Sequence, residues 1–188
     1  MEICVPIYNE EQIMAANIRR MLEYVRKQSW TDWQIVLLVN GSSDASETIA
    51  RKIANDNPRE IKTVVTPSPG KGRAIINYFK SSGADILIYL DVDLAVSLED
   101  LPALVRAIKD ENHDLAFGSR LIKGAKTDRQ LVRELSSRLY NWLSRKLLNH
   151  SFQDLQCGYK AMKKESFQTI GPQIQNKIWF LDTELIVL

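Results

Sequence analysis

The stretch Ile86-Leu87-Ile88-Tyr89-Leu90-Asp91-Val92-Asp93 decides the fold, because an unbroken apolar run leads directly into two carboxylates. Such a run is typical of a strand that is covered on both faces, as in a parallel sheet. Further apolar runs occupy residues 3–7, 35–39, 61–65 and 115–117, and helix-like segments at 10–27, 45–55, 72–82 and 98–109 alternate with them. This alternation predicts an α/β fold with a mostly parallel central sheet flanked by helices.

Length and composition predict one compact domain over residues 1–188, since 45% of the residues are hydrophobic and 26% are charged. No apolar run reaches the roughly 20 residues needed to cross a bilayer, and no basic leader precedes the first run. Cys4 and Cys157 lack a second cysteine or histidine at metal-ligand spacing, so both are expected to be reduced thiols in the cytoplasm. The chain ends within a helix predicted from about Thr183, which suggests truncation at the C-terminus.

The basic residues are concentrated in one segment. Residues 120–146 contain eight basic and two acidic side chains, a net charge of +6 in a protein of net charge +2. A local basic zone of this kind favours an anionic partner such as a phosphate, a pyrophosphate or lipid headgroups. It is too local to indicate binding of nucleic acid.

Asp91 and Asp93 are the candidate metal ligands. Residues two apart on a strand face the same side, so both carboxylates are expected at one edge of the sheet. Carboxylate oxygens suit Mg²⁺ or Mn²⁺ shared with substrate phosphates. The alternative is that two solvated acids simply end a strand.

Two other polar loops follow predicted strands, where ligands of open parallel sheets bind. The loop 70–73 (Gly-Lys-Gly-Arg) lacks the spacing of a nucleotide P-loop, but it can offer backbone N–H groups and a lysine to a diphosphate. An equally good interpretation is a glycine turn whose charged side chains are solvated. In the loop 40–44, Ser43 or Asp44 either contacts a ligand or caps the following helix.

Residues 129–149 form a strongly amphipathic segment, in which leucines recur every fourth residue from Leu131 to Leu147. A helix of this kind usually packs on its own domain. The alternative is an interfacial helix on an anionic membrane, favoured by Tyr140, Trp142 and the basic excess.

Five motifs, taken in order, resemble the inverting glycosyltransferases with the GT-A fold. They are Val5-Pro6-Ile7-Tyr8-Asn9-Glu10, residues 40–44, Asp91-Val92-Asp93, Gly118-Ser119-Arg120 and Gln153-Asp154-Leu155-Gln156-Cys157-Gly158-Tyr159-Lys160. The last motif, followed by Trp179 and Asp182-Thr183-Glu184-Leu185, is similar more narrowly to the dolichyl- and polyprenyl-phosphate glucosyl- and mannosyltransferases.

The resemblance implies a role for each matching position. The catalytic residues would be Asp93, Asp154 and Arg120, and the metal ligands would be Asp91 and Asp93. The acceptor phosphate would face Arg120, Arg133 and Ser137. The nucleotide sugar would contact Pro6, Tyr8, Glu10, Asn40, Asp44, Lys71, Asp91, Gln156, Asp182 and Glu184.

Two departures from the family pattern affect the expected specificity. The family commonly has two acids before the glycine of the second loop, whereas this chain has Val39 and Asn40, which leaves the choice between UDP and GDP open. Mannosyl relatives often carry a polar ligand where this chain has Ala95.

The resemblance therefore implies a metal-dependent hexosyltransferase that moves a sugar, with inversion, from a nucleoside diphosphate sugar to a polyprenyl phosphate. The donor would be of the UDP-glucose or GDP-mannose type. The protein would be peripheral to the cytoplasmic face of a membrane with an anionic surface. The alternatives are transfer to a sugar hydroxyl, with Asp154 as the base, and a non-catalytic sugar-nucleotide-binding or membrane-docking domain.

Overall fold

A computed structural model describes residues 1–119, 154–176 and 180–188. The strands are β1 (Glu2–Ile7), β2 (Gln34–Asn40), β3 (Ile61–Thr66), β4 (Ile86–Leu90), β5 (Leu115–Phe117) and β6 (Tyr159–Lys163). The α-helices are α1 (Met14–Arg26), α2 (Ser46–Asp56), α3 (Lys71–Ser81), α4 (Leu101–Lys109), α5 (Lys164–Ile170) and α6 (Leu181–Val187). Short 3₁₀ turns cover Leu98–Asp100 and Gly171–Gln173.

The six strands form one sheet in the order β3-β2-β1-β4-β6-β5. Strands β1 to β4 run parallel, and β6 pairs antiparallel with both β4 and β5. The predicted α/β fold with a mostly parallel sheet is confirmed. Because the chain steps outward from β1 to β3 and then returns to the other side of β1, the strand order reverses between β1 and β4. Such a switch point opens a crevice at the carboxyl ends of the strands.

The sheet is covered on both faces, which explains its continuously apolar strands. Along β1, Ile3, Val5 and Ile7 pack in one layer with α1 and α4, while Cys4 belongs to the opposite layer with α3 and α6. The five buried residues of α1 recur at helical spacing: Met14, Ile18, Met21, Leu22 and Val25. Alternate residues of the buried strands therefore serve different layers, whereas the edge strand β3 is only partly buried and carries Lys62 and Thr63.

The predicted element boundaries differ from the structure by more than two residues in two places. Helix α1 begins at Met14, because residues 11–13 form a turn that closes on the carbonyl oxygen of Glu10. The helix predicted over 98–109 is divided: Ser97 caps a 3₁₀ turn, and α4 proper begins at Leu101. Both differences move a helix away from the end of the strand that precedes it, and Tyr8, Glu10 and residues 91–93, which lie between these strands and helices, line the cleft described below.

The structure contains two elements that were not predicted, β6 and α5. The amphipathic segment 129–149, the basic segment 120–146 and Trp179 lie outside the described residues. Among the helices of the described residues, none combines the length and apolar character that a membrane span requires.

Candidate active site

A cleft of about 650 Å³ opens at the reversal of strand order between β1 and β4. Its volume lies in the range of pockets that bind small molecules and cofactors. Ten residues line it, and they come from the ends of β1, β2 and β4 and from the start of α3: Pro6, Tyr8, Glu10, Asn40, Pro69, Gly70, Lys71, Asp91, Val92 and Asp93. The cleft therefore gathers polar loops that are up to 87 positions apart in sequence.

The two candidate metal ligands lie in a turn rather than on a strand. Strand β4 ends at Leu90, and Asp91 to Asp93 turn through Leu94, whose φ is 50°. The amide of Asn17 donates to the carbonyl oxygen of Val92 at 2.9 Å, and the backbone N–H of Ala95 donates to Oδ1 of Asp93 at 3.1 Å. The prediction that the strand pleat brings Asp91 and Asp93 together is therefore wrong in its reason, although both do line the cleft.

Gly158 lies directly against the Asp91 carboxylate. A Cβ atom at this position would be 1.9 Å from Oδ2 and 2.4 Å from Cγ of Asp91. The backbone N–H of Asp91 donates to the carbonyl oxygen of Gly158 at 3.0 Å, which holds the two segments together. Only glycine leaves room for the carboxylate in this position.

A chain of alternating charges runs from the cleft into the core. Nζ of Lys71 lies 2.7 Å from Oδ1 of Asp91 and 3.5 Å from Oδ2 of Asp182. Oδ1 of Asp182 accepts from Lys160 at 2.7 Å and from the hydroxyl of Tyr89. Lys160 is only 1% exposed and also donates to the carbonyl oxygens of the loop before β6. Each of the two carboxylates is therefore paired with at least one ammonium group, and the buried Asp182 is paired with two.

The pKa shifts of Lys71, Asp182 and Asp91 follow from burial and from the ion pairs that these side chains form. Burial lowers the pKa of Lys71, but Asp182 and Asp91 outweigh it, so the pKa is raised and the side chain stays charged. Burial also disfavours ionisation of Asp182, yet Lys160 and Lys71 hold its pKa below the ordinary value. For Asp91, burial prevails over Lys71 and the pKa is raised. Asp91 therefore lacks full compensation for its charge and would gain from an added cation.

Asn40 fastens the loop before α3 to the ends of β1 and β2. Its Nδ2 donates to the carbonyl oxygen of Ile7 at 2.8 Å, and its Oδ1 accepts from the backbone N–H of Gly70 at 3.1 Å. Gly70 has a φ of 146° and Gly41 a φ of 68°, and a Cβ on Gly41 would lie 2.5 Å from the nitrogen of Pro69. Asn40, which was expected to contact the nucleotide sugar, thus already binds backbone groups through both its amide nitrogen and its amide oxygen.

Asp44 holds two loops together at the rim. Its carboxylate accepts from the backbone N–H groups of Glu11 at 3.1 Å and of Ser46 at 3.0 Å, and Glu11 accepts in turn from Ala45. Of the two roles predicted for this loop, ligand contact or helix capping, Asp44 therefore has the second, because it accepts from a backbone N–H at the start of α2. Among the described residues, Asp44 is not one of those that line the cleft.

The residues present fit a divalent cation. Asp91 and Asp93 both supply carboxylate oxygens to the cleft, and burial together with Asp93, Asp91 and Asp44 raises the pKa of the neighbouring Glu10. This mutual repulsion marks a site with an excess of negative charge. Within residues 1–119, 154–176 and 180–188, no group of three or more acidic, His or Cys side chains is placed to hold a metal. Two protein carboxylates completed by phosphate oxygens and water are the arrangement that Mg²⁺ commonly adopts.

The remaining predicted site residues fall into three groups. Asp182 is buried behind Lys71, and Glu184 accepts from the backbone N–H of Asn176 at 2.9 Å instead of lining the cleft. Asp154 is fully buried and Gln156 is half-buried, both in the loop that precedes β6. Arg120, Arg133 and Ser137 lie outside the described residues.

Sequence reasoning missed Tyr89 and Lys160, and it assigned no function to Gly158. The one available signal was a lysine after Gly158-Tyr159 in an otherwise apolar stretch, since lysine is rarely buried without a partner.

Comparison with known proteins places the chain among glycosyltransferases. The family described as Glycosyl transferase family 2 matches residues 2–171. Glycosyltransferase AglD of Haloferax volcanii is 30% identical over 188 residues, which are 100% of this chain and 30% of that protein. Dolichyl-phosphate beta-glucosyltransferase ALG5A of Trichomonas vaginalis is 26% identical over 196 residues, covering 100% of this chain and 60% of that protein. The chain thus spans less than two thirds of the length of either relative.

A solved structure shares the fold. Glucosyl-3-phosphoglycerate synthase from Mycobacterium tuberculosis, crystallised with Mn²⁺, uridine diphosphate and glucosyl-3-phosphoglycerate, superposes with a TM-score of 0.65 at 16% identity. The match covers 98% of this chain and 63% of that one. At this identity the likeness shows the fold alone, and it confirms the expected GT-A architecture.

Proposed function

The chain belongs to glycosyl transferase family 2, and from that premise we propose that it transfers a hexose from a nucleoside diphosphate sugar to a polyprenyl phosphate. The observation that carries the proposal is the convergence of Lys71, Asp91 and Asp93 on one cleft at the reversal of strand order. A lysine and two acids facing a pocket of about 650 Å³ suit a diphosphate bound with a cation.

The nucleoside would lie between β1 and the loop before α3. Tyr8 is 49% exposed although it lines the cleft, so its ring offers an open face for a base or ribose. Pro6 and Pro69 add apolar walls, and Glu10 adds an acceptor for a ribose hydroxyl. Because the polar atoms of Asn40 bind backbone groups, we propose that this side chain shapes the pocket and does not read the base.

The diphosphate would lie against Lys71 and the two aspartates. Asp91 and Asp93 would hold Mg²⁺ or Mn²⁺, which when bound neutralises the charge that develops on the leaving diphosphate. Lys71 adds a positive charge at the same side of the cleft without any proton transfer. The reaction would be one in-line displacement at the anomeric carbon, with inversion.

A phosphate acceptor is consistent with the described site. A phosphate monoester is largely ionised near neutral pH, so it needs a strong general base less than a hydroxyl does. Asp154, the candidate base for a hydroxyl acceptor, is fully buried and is absent from the described cleft lining. Support for polyprenyl phosphate itself comes from the similarity to the dolichyl-phosphate beta-glucosyltransferase of Trichomonas vaginalis. Arg120, Arg133 and Ser137 remain the proposed acceptor contacts, and attachment to an anionic membrane surface remains part of the proposal.

The test is release of nucleoside diphosphate from UDP-glucose and GDP-mannose in the presence of Mn²⁺, with and without a polyprenyl phosphate. The proposal predicts release that depends on both the metal and the lipid phosphate. Release that ignores the lipid but responds to a sugar acceptor would favour transfer to a hydroxyl instead. Binding of donor with no release under any condition, also in a longer form of the protein, would favour a non-catalytic binding domain.

A further inference from the structure

Lys71 lies between two carboxylates that belong to different parts of the fold. Asp91 follows β4 and lines the cleft, whereas Asp182 lies in α6 and is buried. The two contacts are unequal, at 2.7 Å and 3.5 Å. The ammonium group is therefore paired with Asp91 and only loosely approached by Asp182.

The second carboxylate is held rigidly in place. Oδ1 of Asp182 is bound by Lys160 and by the Tyr89 hydroxyl, while Oδ2 points toward Lys71. Lys160 is itself fixed by the carbonyl oxygens of Leu155 and Cys157 at 3.1 and 2.6 Å. Both ammonium groups lie over the ring of Tyr89, with each Nζ 5.6 Å from its centroid. Oδ2 of Asp182 is therefore a prepared acceptor that does not need to move.

A divalent cation at Asp91 would compete with Lys71 for the same carboxylate. An ammonium group within hydrogen-bond distance of Asp91 would be repelled by a second positive charge on the same carboxylate, because like charges a few ångströms apart repel each other. A movement of about 1 Å would bring Nζ into close contact with Oδ2 of Asp182, and lysine rotamers allow such a movement easily.

We propose that Lys71 exchanges its carboxylate partner, leaving Asp91 for Asp182, when a divalent cation binds at Asp91. Asp182 is then a positioning residue for the metal site. Its Oδ2 accepts from the displaced ammonium group, and Lys160 and Tyr89 hold the Asp182 carboxylate in place. This inference rests on the metal site of the proposed function.

The test is a double-mutant cycle on binding of Mn²⁺ alone, measured from the paramagnetic resonance signal of free Mn²⁺. The variants are Asp182→Asn, Lys71→Met and the two combined. With Lys71 present, Asp182→Asn should weaken Mn²⁺ binding about tenfold, because the ammonium group then has Asp91 as its remaining carboxylate partner. With methionine at position 71, the same change should weaken it about twofold or less.

The control is a similar pair far from the cleft. Lys62 lies 2.6 Å from Glu2, at the opposite end of β1, and 5.2 Å from the centroid of the Tyr78 ring. Glu2→Gln therefore removes the carboxylate partner of a lysine that, like Lys71, lies over a tyrosine ring. This variant should bind Mn²⁺ like the unmodified chain. If Asp182→Asn weakens binding equally with and without Lys71, Asp182 acts only through its charge and the exchange is overturned.

Two further measurements separate the possible failures. If Asp91→Asn binds Mn²⁺ like the unmodified chain, the metal assignment of the proposed function fails, and the exchange fails with it. If Asp91→Asn loses Mn²⁺ but the cycle shows no coupling, the exchange alone is wrong. Crystal structures of the unmodified chain with and without Mn²⁺ test the idea without variants: Nζ of Lys71 should be nearer Asp182 in the metal-bound form, and its retention at 2.7 Å from Asp91 would contradict the proposal.

Discussion

Replacing Gly158 with alanine should disable the Asp91 carboxylate while leaving the fold intact. The new Cβ would lie 1.9 Å from Oδ2, and real Cβ contacts are essentially never shorter than 3.0 Å, so the carboxylate must move by about 1.1 Å or more. The backbone cannot separate easily, because the Asp91 N–H is bonded to the Gly158 carbonyl oxygen. Metal ligands tolerate about 0.2 Å, and changes to the groups that orient a metal ligand typically cost about 10–100-fold in metal affinity.

We therefore expect Gly158→Ala to weaken Mn²⁺-dependent binding of UDP-glucose about 100-fold, which corresponds to about 2.7 kcal/mol. Isothermal titration calorimetry measures the affinity, and urea unfolding checks that the fold persists. Gly83→Ala is the matched control, since a Cβ there meets nothing within 4 Å and its φ is ordinary. A Gly158→Ala protein that binds donor and metal within about twofold of the unmodified chain would refute this account of the Asp91 position.

Three further outcomes are expected. Asn40→Asp should lower the free energy of unfolding by about 2–3 kcal/mol in urea titrations, because a buried carboxylate would replace an amide that donates to backbone carbonyls; an unchanged midpoint would contradict this. Burial raises the pKa of Glu2, but Lys62 and hydrogen bonds lower it below 4.5 overall, so ionised Glu2 stabilises the fold above that pH and the contribution is lost as pH falls. Glu2→Gln should therefore be less stable at pH 7 by about 1 kcal/mol and equal at low pH, and a pH-independent difference would argue against the pairing. If residues 129–149 form an interfacial helix, binding to anionic vesicles should fall steeply with salt and Trp142→Ser should reduce the salt-insensitive part; no co-sedimentation at low salt would reject that helix.

Much of the fold could be predicted because the central strands β1, β2 and β4 are apolar on both faces. The run 86–90 is apolar throughout, and the structure places it in the middle of the sheet between β1 and β6. Strand β6 escaped prediction because Lys160 interrupts its apolar pattern. In a sequence, a buried lysine cannot be distinguished from an exposed one until its partners are known. The carboxylate partner of Lys160 is Asp182, which is 22 positions away.

The polar loops that form the site could be predicted from the sequence, but the network of ion pairs and hydrogen bonds among their side chains could not. The ends of parallel strands lie at one edge of a sheet, and this rule placed Tyr8, Lys71 and Asp91 together correctly. The rule says nothing about which oxygen a lysine contacts, and the link between Lys71 and Asp182 spans 111 positions. Side-chain contacts over such separations depend on the packing of α6 against the sheet, which no local pattern encodes.

The central claim is that Asp91 and Asp93 bind a nucleoside diphosphate sugar together with a divalent metal. Calorimetric titration of UDP-glucose and GDP-mannose, with and without Mn²⁺, tests it most directly on the unmodified chain and on Asp91→Asn and Asp93→Asn, with the exposed Asp56→Asn as control. The account predicts metal-dependent binding of at least one donor by the unmodified chain and the control, and a loss of about 100-fold or more in each of the other two variants. Unchanged affinity in both Asp91→Asn and Asp93→Asn would contradict it.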